Sequence, residues 1–341
     1  AGAIATGGGD LIGAGTDFAN TGTIATGGGA VNLNAQTGTI DIDANVTTLG
    51  GAFTATGASV FDSSGKDIIT TGASDTAGGA ITITTTGDLR PGPLFTQGGT
   101  ASSGAGLAAG SVTLTAGDTL YVSSLMRLWG SAGVAGQAGG AGGTASFTGA
   151  NGIVSDGASI YTYGGGMSSN GTTGGDVSFH GDMVLGFGLA VDTGSGSGDI
   201  RFDGTLSYSP TGNRSFDYVA LTAGTGDIFF EGAVGEGEDA ALGAVTIDSA
   251  ATLKADGVFK AASFTQSAGS VLTQFDGAVT LTGAFDFTGQ ALTLNAALTG
   301  STVEVTNAGT LTTAAAGDIT SAGTFTQNST GGNRLAGDIT T

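Results

Sequence analysis

Short runs in which apolar and polar residues alternate recur along the chain, and four of them open on a glycine: Gly79-Ala-Ile-Thr-Ile83, Gly110-Ser-Val-Thr-Leu114, Gly143-Thr-Ala-Ser-Phe147 and Gly175-Asp-Val-Ser-Phe179. Alternation at period two aims one set of side chains at a core and the other at water, so each run predicts a strand. The opening glycines lie 31, 33 and 32 residues apart. Asp88, Asp118, Asn151 and Asp182 follow at 30, 33 and 31, and Gly98, Gly130 and Gly164, which begin Gly-rich loops, at 32 and 34. Three sets of landmarks therefore share one period, which marks stacked units that complete one another's cores.

No unit contains a helical pattern, and the linking residues are Gly, Asp, Asn and Ser, which suit turns. The pattern predicts an all-β fold, a parallel β-solenoid of roughly a dozen coils in which each strand pairs with its equivalent one coil later. Residues 1–60 carry a shorter beat, with Ile4-Ala-Thr-Gly-Gly-Gly9 repeated at Ile24 to Gly29, 20 residues on. Over 61–185 the coil widens to about 32 residues by Gly-rich loops at Gly98 to Gly110, Gly130 to Gly143 and Gly164 to Gly175, which should stack on one flank. Residues 186–250 are less regular, with excursions at Ser209 to Asn213 and Glu231 to Asp239. Over 251–341 the short beat returns, Ala316-Gly-Asp-Ile-Thr320 recurring as Ala336 to Thr340. Pro91, Pro93 and Pro210 belong in turns, because proline cannot donate to a ladder. One solenoid domain spanning 1–341 is the expectation, since such folds grow by adding coils.

Composition narrows the function classes. With 68 Gly but only 3 Pro, and 39% apolar residues in regular alternation, the chain is neither collagen-like nor disordered. Lys and Arg number 8 against 28 Asp and Glu, a net charge of -20, so no basic stripe exists to neutralise phosphates and nucleic acid is a poor partner. No apolar run reaches the ~18 residues that span a bilayer, so no membrane insertion is expected. The chain has no cysteine, which removes disulfides and thiolate metal sites.

The Gly-x-Val-x-Leu strands, the Ala-Gly-Asp-Ile and Phe-Thr-Gln phrases (the latter at Phe95, Phe264 and Phe325) and the Gly/Ala/Thr/Asn bias resemble the repeat regions of filamentous haemagglutinin-like proteins. Those are large secreted bacterial β-helices of the cell surface. The resemblance implies an extracellular location and a role in adhesion or fibrous surface material.

Candidate chemistry is sparse. A glycan-cleaving β-helix enzyme would need clustered carboxylates or a base, and the only histidine, His180, has Asp182 on the same strand phase. The other reading of both is an ordinary solvated wall, and no catalysis is the expectation. Gly-Asp pairs at Asp10, Asp88, Asp118, Asp176, Asp182, Asp199, Asp227, Asp318 and Asp338 suit either stacked Ca²⁺ ligands or turns whose carboxylates bond local amides. The tandem calcium nonapeptide is absent, which favours turns. Glu231, Glu236, Glu238 and Asp239 form the other acidic candidate for Ca²⁺. No further cofactor is implied.

Aligning the Gly-rich loops puts Phe95, Arg127 and Tyr161 in one column and Gln97, Trp129 and Tyr163 in the next, with Leu94, Met126 and Ile160 between them. Alternation points both columns outward, as a face for glycan or a neighbouring molecule; a register slip of one would instead bury the rings. The termini read as interior coils: Ala3 to Gly9 and Ala336 to Thr340 carry repeat phrases and no atypical cap. Either the segment continues into more coils of a longer polypeptide, as an adhesin repeat region would, or copies stack head-to-tail; stacking into a surface filament or sheath is the expectation.

Overall fold

The computed structural model describes residues 2–165, 173–209, 218–237 and 241–341. All described regular structure is strand, and every strand pairing given below is parallel. The chain divides into two compact units, Ala1–Gly181 with Asp192–Gly198, and Asp182–Val191 with Asp199–Thr341.

In the first unit each coil contributes three short strands to three walls. One wall stacks Ile4–Ala5, Ile24–Ala25, Val46–Thr47, Ile68–Ile69, Leu94–Phe95, Leu125–Arg127 and Ser159–Tyr161. A second wall stacks Leu11–Ala14, Val31–Asn34, Phe53–Ala58, Ile81–Thr85, Val112–Ala116, Ala145–Gly149 and Val177–His180. The third runs from Phe18–Asn20 through Thr39–Ile42, Val60–Asp62, Leu89–Arg90 and Leu120–Tyr121 to Ile153–Ser155. The inward rows are apolar and closed to solvent, as at Ile81, Val112, Phe147 and Phe179. The Phe147 and Phe179 rings stack at 5.2 Å.

Along the first wall the pairing Ile4, Ile24, Val46, Ile68, Leu94, Met126, Ile160 gives coils of 20, 22, 22, 26, 32 and 34 residues. The change from narrow to wide is thus graded, where the sequence suggested one step near residue 60. A constant neck explains how the wall absorbs it. Thr26, Thr48, Thr70, Thr96 and Thr162 all point inward, and each hydroxyl donates to the carbonyl of the glycine that opens the next strand, 3, 3, 9, 14 and 13 residues on. In the wider coils the same glycine N–H returns a bond to the threonine carbonyl, at 2.8 Å for Gly79, Gly110 and Gly175. Loops leave and re-enter the wall through this gate, closed by both bonds at Thr70, Thr96 and Thr162 and by the Gly143 N–H on the Leu128 carbonyl alone in the coil between.

Replacing Thr96 by Val keeps the shape and strands the buried Gly110 carbonyl, an expected cost of about 1–3 kcal/mol. A shift in the urea midpoint checks it, and an unchanged midpoint would mean the neck is not a closure.

The Gly-rich loops stack on one flank as expected. Gly106 donates to Ala138, Ser131 to Leu107 and Gly165 to Gly140, at 2.8, 2.9 and 2.8 Å. Residues 166–172 of the third loop lie outside the described residues.

The second unit repeats the plan. One row of strands runs Ile200–Phe202, Ile228–Phe230, then the latter part of Leu242–Ala255, Gly269–Phe275, Leu292–Leu294, Leu311–Thr313 and Asn333–Leu335. Its coils shrink from 28 residues between Ile200 and Ile228 to 19 between Leu292 and Leu311. The strands keep pairing across the stretch that looked irregular in sequence, with a shift of register between Leu221 and Thr222. Of the excursions expected there, 210–217, with Pro210, and 238–240 lie outside the described residues. The interior is aromatic: Phe202 and Phe230 stack at 5.1 Å, and Phe259, Phe264, Phe275 and Phe285 interlock at 5.1–6.0 Å.

Pro91 and Pro93 sit between strands. The Gly-Asp carboxylates reach farther than the local amides expected of them. The Asp10 Oδ1 accepts the N–H of Ala30, Asp199 that of Asp227, Asp227 that of Thr252 and Asp318 that of Asp338, at 2.7, 2.8, 2.8 and 2.8 Å. Each bond spans 20 to 28 residues, one coil. These aspartates clamp successive turns, satisfying amides at the corners where wall pairing lapses.

Candidate functional site: an outward aromatic ladder

The strand registers bring the aromatic candidates together. Phe95 pairs with Arg127, and Arg127 with Tyr161. Leu94, Met126 and Ile160 are fully buried between the columns. Thr96, Leu128 and Thr162 form the next inward row, also fully buried or nearly so. Phe95, Arg127, Trp129, Tyr161 and Tyr163 are each half-buried, so the register holds and the rings line the outer surface.

Their packing follows from the coil rise. Rings on consecutive rungs stand about 4.8 Å apart, close to stacking distance. Trp129 and Tyr163 stack at 5.0 Å with planes 13° apart, and Tyr161 meets both edge-on at 6.4 and 6.1 Å. The Arg127 guanidinium lies 5.7 Å from the Phe95 centroid and 5.2 Å from that of Trp129, a cation held between two π faces. Its Nε is buried without a hydrogen-bond partner among the described residues. The ladder ends at Gly194, where φ is +88° and a Cβ would stand 2.6 Å from that of Tyr163. A glycine there leaves room for the Tyr163 ring. Partial burial raises the Tyr163 pKa, and Asp192 and Tyr161 add to the rise against the pull of Arg127. The phenol therefore stays a neutral donor.

The stacked faces are spent on one another, so the patch offers ring edges, phenolic hydroxyls and a guanidinium. That combination suits a partner bearing acceptor oxygens and aliphatic C–H groups.

The other candidates are not brought into sites. Glu231 pairs with Arg201, which also holds Asp203 at 2.6 Å, and Glu236 is exposed. Glu238 and Asp239 lie outside the described residues. No group of three or more metal-binding side chains gathers among the described residues. His180 stands in register with Thr148 on the second wall of the first unit. In the second unit the Asp182 carboxylate accepts the N–H and hydroxyl of Thr205, at 2.8 and 2.9 Å.

One outward feature escaped the sequence reading: paired threonines on the second wall whose hydroxyls make no bond to any described residue. The signal was present as Thr-x-Thr in Thr54 to Thr56, Thr82 to Thr84 and Thr113 to Thr115. Comparison of the chain with protein-family models, with curated proteins and with solved structures finds no match.

Proposed function

We propose that the protein is a non-catalytic structural solenoid of the cell surface, of the haemagglutinin-like kind its repeat phrases resemble, with the aromatic ladder as its contact face. The observation that supports this reading is the assembly of five residues from three coils, Phe95, Arg127, Trp129, Tyr161 and Tyr163, on one outward surface. Arg127 has no carboxylate partner among the described residues, whereas Arg90, Arg201 and Lys254 are all ion-paired. A glycan with acceptor oxygens fits the exposed edges best. The Trp129→Ala, Tyr163→Ala double variant is expected to lose retention on a panel of immobilised polysaccharides at least tenfold, while its urea midpoint moves little because both side chains are outside the core. Undiminished retention on every sugar that holds the wild type, or no retention of the wild type at all, would refute the contact face.

A second reading is head-to-tail stacking of copies, in which a coil of a neighbouring copy would cover the rungs of Ile4 and Ile339. Ile24 is 1% exposed but its partner Ile4 is 38% exposed; Ile319 is closed but its partner Ile339 is 38% exposed. The last coil also places Gln327 and Asn333 in the rows of Val305 and Leu311, where their amides bond reciprocally at 2.6 and 2.9 Å. The same two rows hold Gln266 and Thr273, bonded at 2.9 Å and each 1% exposed. A polar pair in these rows is thus compatible with a covering coil. Fibres of the purified protein in electron micrographs support this reading, and persistence as monomers at high concentration excludes it.

A further inference from the structure

We propose that the second wall of the first unit is an ice-binding face, a reading separate from the contact face above. Its outward rows place Thr54 and Thr56 beside Thr82 and Thr84, and these beside Thr113 and Thr115. Ser146 and Thr148 continue the two rows on the next coil. The pairing between Ile81–Thr85, Val112–Ala116 and Ala145–Gly149 runs without a shift in register, so the array is regular in both directions. Neighbouring rungs stand about 4.8 Å apart and alternate residues of one strand about 6.6–6.8 Å apart.

Two properties bear on what this array can bind, the first of which separates it from the inward threonines of the same unit. The inward Thr26, Thr48, Thr70, Thr96 and Thr162 all spend their hydroxyls on glycine carbonyls. The outward hydroxyls of the array have no bond to any described residue, so each retains a donor and two acceptor sites for solvent. The array is also uncharged. No Asp, Glu, Lys or Arg falls in Phe53–Ala58, Ile81–Thr85, Val112–Ala116 or Ala145–Gly149, although the chain carries 28 acidic residues. A charged partner has nothing to pair with on this wall.

What such a surface recognises is a neutral lattice of hydrogen-bonding oxygens. Water bridging two groups is nearly as favourable as a direct bond, and its entropic cost reaches about 2 kcal/mol per molecule when the water must be immobilised. In ice that immobilisation has already occurred. The threonine methyl groups between the hydroxyls bury apolar surface against the same layer, adding a driving force that a serine-only array would lack. The repeats of rung and strand are close to those of oxygens on the faces of hexagonal ice. A soluble sugar chain, by contrast, would use the array in one dimension only. The lattice is bounded by Ile12 and Ala14 beyond Asn32 and Asn34 on one side, and by Ser178 and His180 on the other.

The test is partition of the purified full chain into slowly grown ice, together with the gap between melting and growth temperatures of a single crystal. Wild type is expected to concentrate in the ice, and to open a freezing gap. The Thr82→Tyr, Thr113→Tyr double variant should lose both while keeping its urea midpoint; if it fails to fold, Thr113→Val, which keeps the shape and removes one hydroxyl, should reduce both. As a control outside the array, Thr299→Tyr in the second unit should leave both unchanged. Exclusion of the wild type from ice, equal loss with Thr299→Tyr, or retention on crystalline cellulose or chitin without enrichment in ice overturns the proposal.

Discussion

Replacing Gly110 by alanine will lower the urea midpoint more than any outward substitution on the same wall. Gly29, Gly51, Gly79, Gly110, Gly143 and Gly175 form one row at the corner where each strand of the second wall begins. A Cβ on Gly110 would stand 2.1 Å from the carbonyl oxygen of Gly79 and 2.4 Å from its carbon, and the other members of the row meet their predecessors at 2.0–2.2 Å. The obstacle is backbone on every side, so no rotamer change relieves it. Overpacking a close-packed interior typically costs about 1–3 kcal/mol, and a backbone clash repeated through stacked coils belongs at the upper end or beyond. Gly332, which has open space around its Cβ position, provides the control, and Gly332→Ala should be near neutral. Equal midpoints for Gly110→Ala and wild type would show that the corner can open, and that the row is not a close-packed spine.

This spine is also the reason the fold was legible in the sequence. A residue that tolerates no side chain must recur on every coil, so Gly79, Gly110, Gly143 and Gly175 disclose the period, and the alternation after each discloses which residues point inward. The columns of Phe95, Arg127 and Tyr161 follow from that register alone. The graded widening did not show, because the nine-residue step from Thr70 to Gly79 carries no glycine triplet to mark it. Nor did the reach of the Gly-Asp carboxylates: adjacency in sequence suggests a local amide, whereas the partner of Asp227 stands a coil away at Thr252. Threonine was ambiguous for a related reason. Period two separates inward Thr96 from outward Thr113, but the first hydroxyl is spent on Gly110 and the second is not, and only the third dimension distinguishes a neck from a surface lattice.

Truncating Phe264 to alanine in the second unit is the other large effect. The ring is fully buried, stacks on Phe285 at 5.1 Å with planes 20° apart, and meets Phe259 and Phe275 edge-on at 5.7 and 5.4 Å. Phe to Ala in a core costs about 3–5 kcal/mol through lost transfer energy and the cavity left behind. Three aromatic contacts, each adding about 0.5–1.5 kcal/mol beyond area, place this site high in that range. Stability in a solenoid is carried by nearest-neighbour interfaces, so the damage should be local first. Amides of Val245 and Phe285, whose strands pair directly with that of Phe264, should lose hydrogen-exchange protection, while Ile319, farther along the same unit, keeps most of its own. Phe264→Leu, which fills most of the volume, should recover more than half of the loss. Uniform loss of protection from Val245 to Ile319 would contradict nearest-neighbour coupling, and would mean that the coils of the second unit open together.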